Sequence, residues 1–494
     1  MTGWVIRADA VVMGAGTAGA NAAFQLADRG LAVVLVERRE MAEGGARWHN
    51  GVLDWQFERA GLEPPAGAER VADRGTMHML GPDGLDGPSG AGGRTGVTVS
   101  PSPVVTADMI LLGDRLRGLA AERGVRFLER ASHMTVEQRA GRITALEVRA
   151  ADATAVTGTS PELVRDRPVA RRSGPSSAGA GERVRLEAPL FVDASGRRGI
   201  LRRESAVLRP WCPAVRGDEL CSATDMVLRV DDPDGAKKYL ERFGANPGET
   251  ISIVGLSGGF STRGVTVSND LDEVHVLVGC LANGRYGTGP RMLDELRADE
   301  PWIGAPVSGG SGVIPLRRPY ARFTAPGLAL VGDAACQVFP AHGSGIGMGL
   351  IAGRMLADAV SGATDPGGEQ VLWDYQAAFQ RELGGPLAAF DAFRRMSTAL
   401  GGEGVRIMVA AGLMSEPMAR TGLNQTWELP PNADVPAMAA RLARHPHLAA
   451  RMLPMLARGR LAATMGARYP AAVDEAALTR WDHRVERLLG RLPS

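Results

Sequence analysis

Cysteine is scarce in this chain. There are four in 494 residues, Cys212, Cys221, Cys280 and Cys336, and no two form a C-x-x-C pair. That pattern excludes a thiolate zinc module and a disulfide scaffold, and it leads us to expect a reducing, cytoplasmic setting. Lysine is rarer still: Lys237 and Lys238 stand alone, and arginine supplies the remaining positive charge. Neither sign of charge is in excess, since the formal net charge is +1, so nothing in the balance points to nucleic acid as a partner. No apolar run is long enough to cross a bilayer, no segment repeats, and no secretory leader is expected. Hydrophobic residues make up 45% and charged residues 22%, which fits a soluble globular chain with room for two or three cores.

Glycine is plentiful, with 64 residues, and its placement carries the information. The stretch VVMGAGTAGANAAFQLADRGLAVVLVERR runs from Val11 to Arg39. A short apolar strand ends at Met13, and Gly14, Gly16 and Gly19 follow in G-x-G-x-x-G spacing. The first glycine permits the tight turn, the second a close approach of backbone to a pyrophosphate, and the third the packing of helix on sheet. A helix is expected over 17–28, stopped near Gly30, and then a second strand that ends on Glu37, where a carboxylate would accept from a ribose hydroxyl. A carboxylate there repels a 2′-phosphate, which leaves FAD or NAD. A second glycine-rich stretch, PGLALVGDAACQVFPAHGSGIGMGLIAGRMLADAV, repeats the logic late in the chain: a buried strand, Asp333 at its carboxyl end, then Gly343, Gly345 and Gly347 leading into a helix. One extended ligand bridging both sites has the shape of FAD; NAD needs only the first.

Between these stretches the order is uneven. A loop after Glu37 leads to a helix over 52–60, and residues 74–103 read as loop with one strand at GVTVS. A helix stops at Gly124 and passes into strands, with RRSGPSSAGAG (171–181) as a loop tip. Residues 222–283 are mostly strand, with one helix at AKKYLERFG, and the chain is helical from about 371. The expected class is α/β (α+β overall). A discontinuous Rossmann-type FAD domain covers 1–75, 104–205 and 320–365, a β-rich substrate domain covers 76–103 and 206–319, and a helical region covers 366–494.

Together GAGTAG…VERR, FVDASGRRG and VGDAACQVFPAHGSGIGMG resemble the flavoproteins of the p-hydroxybenzoate hydroxylase fold. The DASG turn is similar to that of geranylgeranyl reductases and flavin-dependent halogenases, and the approach GGSGVIPLRRPYARFTAPGLALVGDAA resembles that of geranylgeranyl reductases. The resemblance implies FAD held by Gly14, Ala15, Gly16, Thr17, Ala18, Gly19, Glu37, Arg38 and Arg47 at its adenosine and diphosphate end. At the other end it implies Gly332, Asp333, Gly343, Ser344, Gly345 and Ile346. The early lysine and the W-x-W-x-I-P segment of halogenases are absent. EGGARWHNG stands where reductases of this kind carry a cysteine, NGRYGTGP where they carry Y-x-W-x-F-P, and Met109 where an arginine commonly faces the cofactor.

Two histidines are candidates for acid–base work. His342 lies in the flavin loop, and His49, in RWHNG, lies in a segment that passes near the isoalloxazine in this fold. Trp48, Trp55 and Phe57 read as core, Cys336 as a small buried apolar residue, and His445 and His447 as a solvated turn. The first expectation for the reaction is monooxygenation of a small hydrophobic molecule, in bacterial secondary metabolism, with NAD(P)H or a partner flavin reductase as transient electron donor. The alternatives are reduction of a C=C bond and, from another class, a non-catalytic carrier of lipid or a partner. The oligomeric state is left open.

Overall fold

The computed structural model describes residues 4–86, 96–150, 182–426 and 434–490. The expected loop at 171–181 lies outside them. At the centre is a six-stranded sheet ordered Thr324–Ala325, Leu328–Leu330, Leu190–Asp193, Ala10–Met13, Val33–Val36 and Arg126–Leu128, parallel except at its first pair. Val, Leu, Ala and Phe fill these strands because helices cover both faces. The parallel arrangement puts GAGTAG, Glu37, DASG and GDAA at the carboxyl ends of adjacent strands, the edge where open α/β sheets bind ligands.

Helix Thr17–Asp28 packs on helix Ile346–Val360 through small residues. A Cβ on Gly349 would stand 3.0 Å from Ala18 Cβ, and one on Gly353 would stand 2.9 Å from Asn21 Nδ2. Asn21 Nδ2 donates to the Leu350 carbonyl at 2.8 Å, so the two helices are joined by a buried hydrogen bond as well as by contact. The ends of the first helix fall as its sequence signals suggest, with Gly30 in the left-handed region at φ +85°.

A seven-stranded sheet is ordered Ile303–Pro315, Leu220–Val230, Glu273–Leu281, Ser261–Val267, Thr250–Val254, Met77–Leu80 and Gly96–Val99. One face packs on helices Pro233–Phe243 and Gly289–Asp299 through Val274, Val276, Val278, Ile251, Ile253 and Leu240. Near Ile314 and Leu316 the sheet is adjoined by the glycine-rich loop that precedes helix Ile346–Val360. A four-stranded sheet joins Trp4–Arg7 to Glu182–Glu187, Arg142–Ala150 and Ser132–Arg139, and a three-stranded one joins His49–Val52, Val105–Asp108 and Arg70–Ala72.

Three elements correct the sequence reading. His-Asn-Gly-Val is a strand rather than loop, because pairing with Val105–Asp108 satisfies its backbone, and the helix after it begins only at Asp54. Residues 74–103 hold two strands, Met77–Leu80 and Gly96–Val99, which complete the seven-stranded sheet. A strand at Trp4–Arg7 precedes the first strand expected.

From Glu369 the described chain is helical, and it buries an ionic cluster. Asp391, fully buried, receives Arg394 at 2.9 Å, Arg395 at 3.1 Å and the backbone N–H of Arg318 at 3.1 Å. The two guanidiniums hold its carboxyl well below the usual carboxylate range, against the opposing effect of burial.

Candidate active site

The first cradle separates glycines required by the fold from one that is not. Gly14 has φ +104°, and a Cβ there would stand 2.5 Å from the Ala194 carbonyl oxygen. A Cβ on Gly19 would stand 1.8 Å from the Gly14 oxygen. Gly16 has φ −68° and ψ 175°, which any residue adopts, and the nearest atom to an added Cβ is Gly45 Cα at 3.4 Å. No protein atom demands a glycine at 16. The space its side chain would take is open and adjoins the uncapped N-terminus of helix Thr17–Asp28. Free backbone N–H groups at this helix start, with a glycine beside them, suit a diphosphate.

Glu37 is buried at the end of its strand, where it accepts from the backbone N–H of Ala15 at 3.0 Å and of Arg39 at 3.1 Å. Its carboxylate therefore sits beside the glycine turn. Arg38 and Arg47 are both exposed; Arg47 Nη1 donates to the Ala42 carbonyl at 3.2 Å. Arg117 is a residue that sequence reading missed. It reaches from helix Met109–Glu122 to the carbonyls of Ala15 at 3.1 Å and Gly44 at 3.2 Å, and it pairs with Asp114 at 2.6 Å. It ties the glycine turn to the segment that follows Glu37, while Met109 is spent in the core.

At the second cradle Gly332 has φ +69°. Its N–H donates to Gln337 Oε1 at 2.7 Å, and Gln337 Nε2 bonds the Tyr375 hydroxyl at 2.9 Å. Burial pushes the Asp333 carboxyl up to about 6, partly offset by the charge of Arg197. The backbone N–H of Phe339 donates to the Ser344 carbonyl at 2.9 Å, and Gly343 has φ +76°. Gly345 then starts helix Ile346–Val360 with no side-chain cap and no acid in its first turn, a second open set of N–H donors. Gly343 adjoins the seven-stranded sheet, since a Cβ there would meet Leu316 at 3.4 Å and Ile314 at 3.5 Å.

Strand register lays out the sheet face beside this loop. One row reads Val97, Met79, Ser252, Gly264, Leu277, Asp225, Gly310, and the next holds Thr250, Thr266, His275 and Val227. Leu277 is 40% exposed, an apolar side chain facing open space on an otherwise packed strand. Trp48 lies over this face where side chains are missing: a Cβ on Gly310 would stand 3.0 Å from its ring, and one on Gly312 would stand 3.4 Å away. Half-buried Trp48 is thus part of the site wall, whereas Phe57 is core as expected.

His49 meets a partner that sequence reading did not name. Its ring stands edge-on to His275 at 5.8 Å between centroids, and His275 Nε2 lies 2.9 Å from Asp225 Oδ1. Burial pushes the His49 imidazole below its ordinary value, and His275 adds to this; Asp108 and Asp225 oppose it. The signal for His275 was present: EVHVLVGCL alternates, and His275 falls on the face opposite the buried valines.

His342 packs its ring on Phe339, 4.5 Å between centroids, and its Nε2 lies 3.2 Å from the Gly422 carbonyl. Water reaches the ring, yet protein crowds it, and desolvation pushes it down to about 4. Helix Glu416–Leu423 and the two residues after it close over this point. Trp55 Nε1 donates to the Asn424 carbonyl at 3.0 Å, and Gln56 Nε2 bonds Gln425 Oε1 at 2.9 Å. The structure does not bring His342 and His49 into one group: one belongs to the loop and its helical cover, the other to the sheet face. Burial pushes the thiol of Cys336 up to about 11, which suits its reading as a small packed residue.

Residues 9–75 match the family described as DAO, FAD dependent oxidoreductase. A digeranylgeranylglycerophospholipid reductase of Methanothrix thermoacetophila is 27% identical over 392 residues, 78% of this chain and 85% of that protein. The crystal structure of a geranylgeranyl bacteriochlorophyll reductase-like protein from Thermoplasma acidophilum superposes with a TM-score of 0.66 at 16% identity, covering 91% of this chain and all (100%) of that one. The flavin-dependent brominase Bmp2 superposes with a TM-score of 0.56 at 15% identity over 90% of this chain and 99% of its own. With the GAGTAG cradle inside the matched segment and the second cradle at the same sheet edge, the chain carries an FAD-dependent oxidoreductase domain over residues 9–75, in a fold it shares with geranylgeranyl reductase-like and flavin-dependent halogenating proteins.

Proposed function

We propose that the chain reduces a carbon–carbon double bond in an apolar, isoprenoid-like substrate. This puts the reductase reading ahead of monooxygenation, because curated relatives spanning most of the chain are reductases of that kind. The observation that carries the reading is the sheet face beside the flavin loop. Leu277, Met79 and Val97 are the apolar members of one row, Gly264 leaves space beside Leu277, Trp48 covers the Gly310 end, and the Asp225–His275–His49 group stands on and over the face.

Saturating C=C adds a hydride to one carbon and a proton to the other. FAD held at the Gly14–Gly19 turn and the Gly343–Ile346 loop, once reduced by NAD(P)H or a partner reductase, would supply the hydride. The proton is the protein's task, and His49 is placed to hand it on. Its lowered pKa leaves it neutral at rest and a strong acid once protonated, while Asp225 fixes the orientation of His275 beside it. Trp48 and the apolar side chains of the row would be covered by the substrate, which itself would then displace water from the reacting carbons.

The test is anaerobic turnover of geranylgeranyl-bearing lipids or quinones with the FAD-loaded protein. A product two hydrogens heavier is expected without O₂. The rate should rise as pH falls toward the lowered His49 pKa, and His49→Asn should flatten that profile and cost about 10²–10⁴-fold in rate. Strict dependence on O₂, with oxygen from O₂ in the product, would overturn the reading in favour of monooxygenation.

A further inference from the structure

Between Asp434 and Asp474 the chain has no acidic residue, yet it carries Arg441, Arg444, Arg451, Arg458, Arg460 and Arg468. In a protein of net charge +1 this is a strong local excess, and all six side chains are exposed. Helix Pro446–Met465 lies within the segment. Its inner side packs Leu448, Met452, Gly459, Ala462 and Met465 against the protein.

The outer side is not the uniformly polar surface expected of a soluble helix. Ala450, Leu453, Pro454, Ala457 and Leu461 follow helical spacing and form one outward stripe, with Leu453 and Leu461 each 54% exposed. At 100° per residue, Arg460 borders this stripe on one side, and Arg451, Arg458 and His447 on the other. The acids of the neighbouring helix Glu475–Leu489 are already paired with buried arginines: Glu475 with Arg322, and Asp482 and Glu486 with Arg318. Arg451 makes no hydrogen bond or ion pair with any described residue. Arg451 and Arg458 also line a cavity of about 190 Å³ together with Met455, Leu400 and Leu489, so free positive charge stands beside apolar wall.

We infer that this face docks the protein onto an anionic lipid bilayer. An apolar stripe bordered by arginines matches the boundary between headgroups and acyl chains, where leucines enter and guanidiniums hold phosphates. No described helix is long and apolar enough to cross a membrane, so the attachment is peripheral. A second copy of the chain is a poor occupant, because a symmetric contact would set arginine against arginine. The inference rests on the surface alone and goes beyond the reductase reading, which can fail without it.

The test is flotation of the full-length protein with vesicles. Binding is expected to vesicles of equal parts phosphatidylglycerol and phosphatidylcholine, to weaken with added salt, and to be far weaker with phosphatidylcholine alone. Arg451→Gln, Arg458→Gln and Arg460→Gln should each lower partitioning roughly fivefold, and together on the order of a hundredfold. Leu453→Ser with Leu461→Ser should weaken binding while leaving the thermal midpoint unchanged, since both side chains are exposed. Equal binding to neutral and anionic vesicles, no vesicle binding, indifference to the arginine substitutions, or capture of nucleic acid in place of vesicles would each overturn the inference. The salt dependence of the unmodified protein tests it without any variant.

Discussion

Gly16→Ala separates what the fold requires from what the cofactor requires. The backbone at 16 is already extended, and the added methyl meets nothing nearer than 3.4 Å, so the apoprotein loses almost nothing. Reduced freedom in the unfolded chain favours the variant by about 0.4–1 kcal/mol, and the poorer N-cap opposes it by a similar amount, leaving apo stability within about 1 kcal/mol of the parent. The methyl does stand where a diphosphate must approach the N–H groups of the helix. Losing two hydrogen bonds to a charged group, at about 1.5–3 kcal/mol each, weakens FAD by roughly 3–6 kcal/mol, a hundredfold or more. Gly19→Ala should do the reverse: its methyl would overlap the Gly14 carbonyl at 1.8 Å, so the apoprotein itself is destabilised. The assay pairs thermal melting of each apoprotein with a flavin-fluorescence titration. A Gly16→Ala protein that melts like the parent and binds FAD within threefold of it would refute the assignment of this cradle.

Two further predictions concern titration and buried charge. His342 is pushed down to about 4 in the folded protein against an ordinary 6.5, so the unfolded chain takes up the proton first as pH falls, and stability present above pH 6.5 is lost progressively down to about pH 4. The full shift would be worth about 3 kcal/mol, and the ring's contact with water reduces it to roughly 1–2 kcal/mol; denaturant melts of the parent and His342→Gln between pH 7 and 4 should differ by this much, and parallel curves would remove His342 from the account. Asp391→Asn leaves Arg394 and Arg395 buried with half their compensation and should cost about 3–5 kcal/mol in chemical denaturation; a loss below 1 kcal/mol would mean that the cluster rearranges.

The glycine cradles and the strand ends around them were legible because their constraints are local. G-x-G-x-x-G, a strand ending in Glu37 and the late GDAA each impose a turn or a strand end within a few residues, and the sheet sets them side by side. The proposed reacting end was only half legible. His49 could be named from its place after the ribose strand, but His275 and Asp225 lie on strands more than 170 residues further along, and only strand register brings them to it. Arg117 shows the same limit: on its helix it looks like one of many arginines, and only its contact with Ala15 gives it a task. His49–Val52 was missed as a strand because His-Asn-Gly has no apolar alternation, and a partner supplied by the fold outweighed that weak local preference.

The hydrogen bond from Asn21 to the Leu350 carbonyl joins residues 329 apart in the chain. At about 5–20 residues per second, a ribosome that has made the first cradle needs roughly 15–65 s to deliver the helix that packs against it. Throughout that interval the nascent Thr17–Asp28 segment lacks the partner for its Ala18–Ala22 side, and the first cradle lacks the second. FAD capture is therefore a late event in biogenesis. Flavin supplied during synthesis cannot act as a nucleus for folding, and a ribosome stalled before residue 332 should display a chain that chaperones hold and FAD does not.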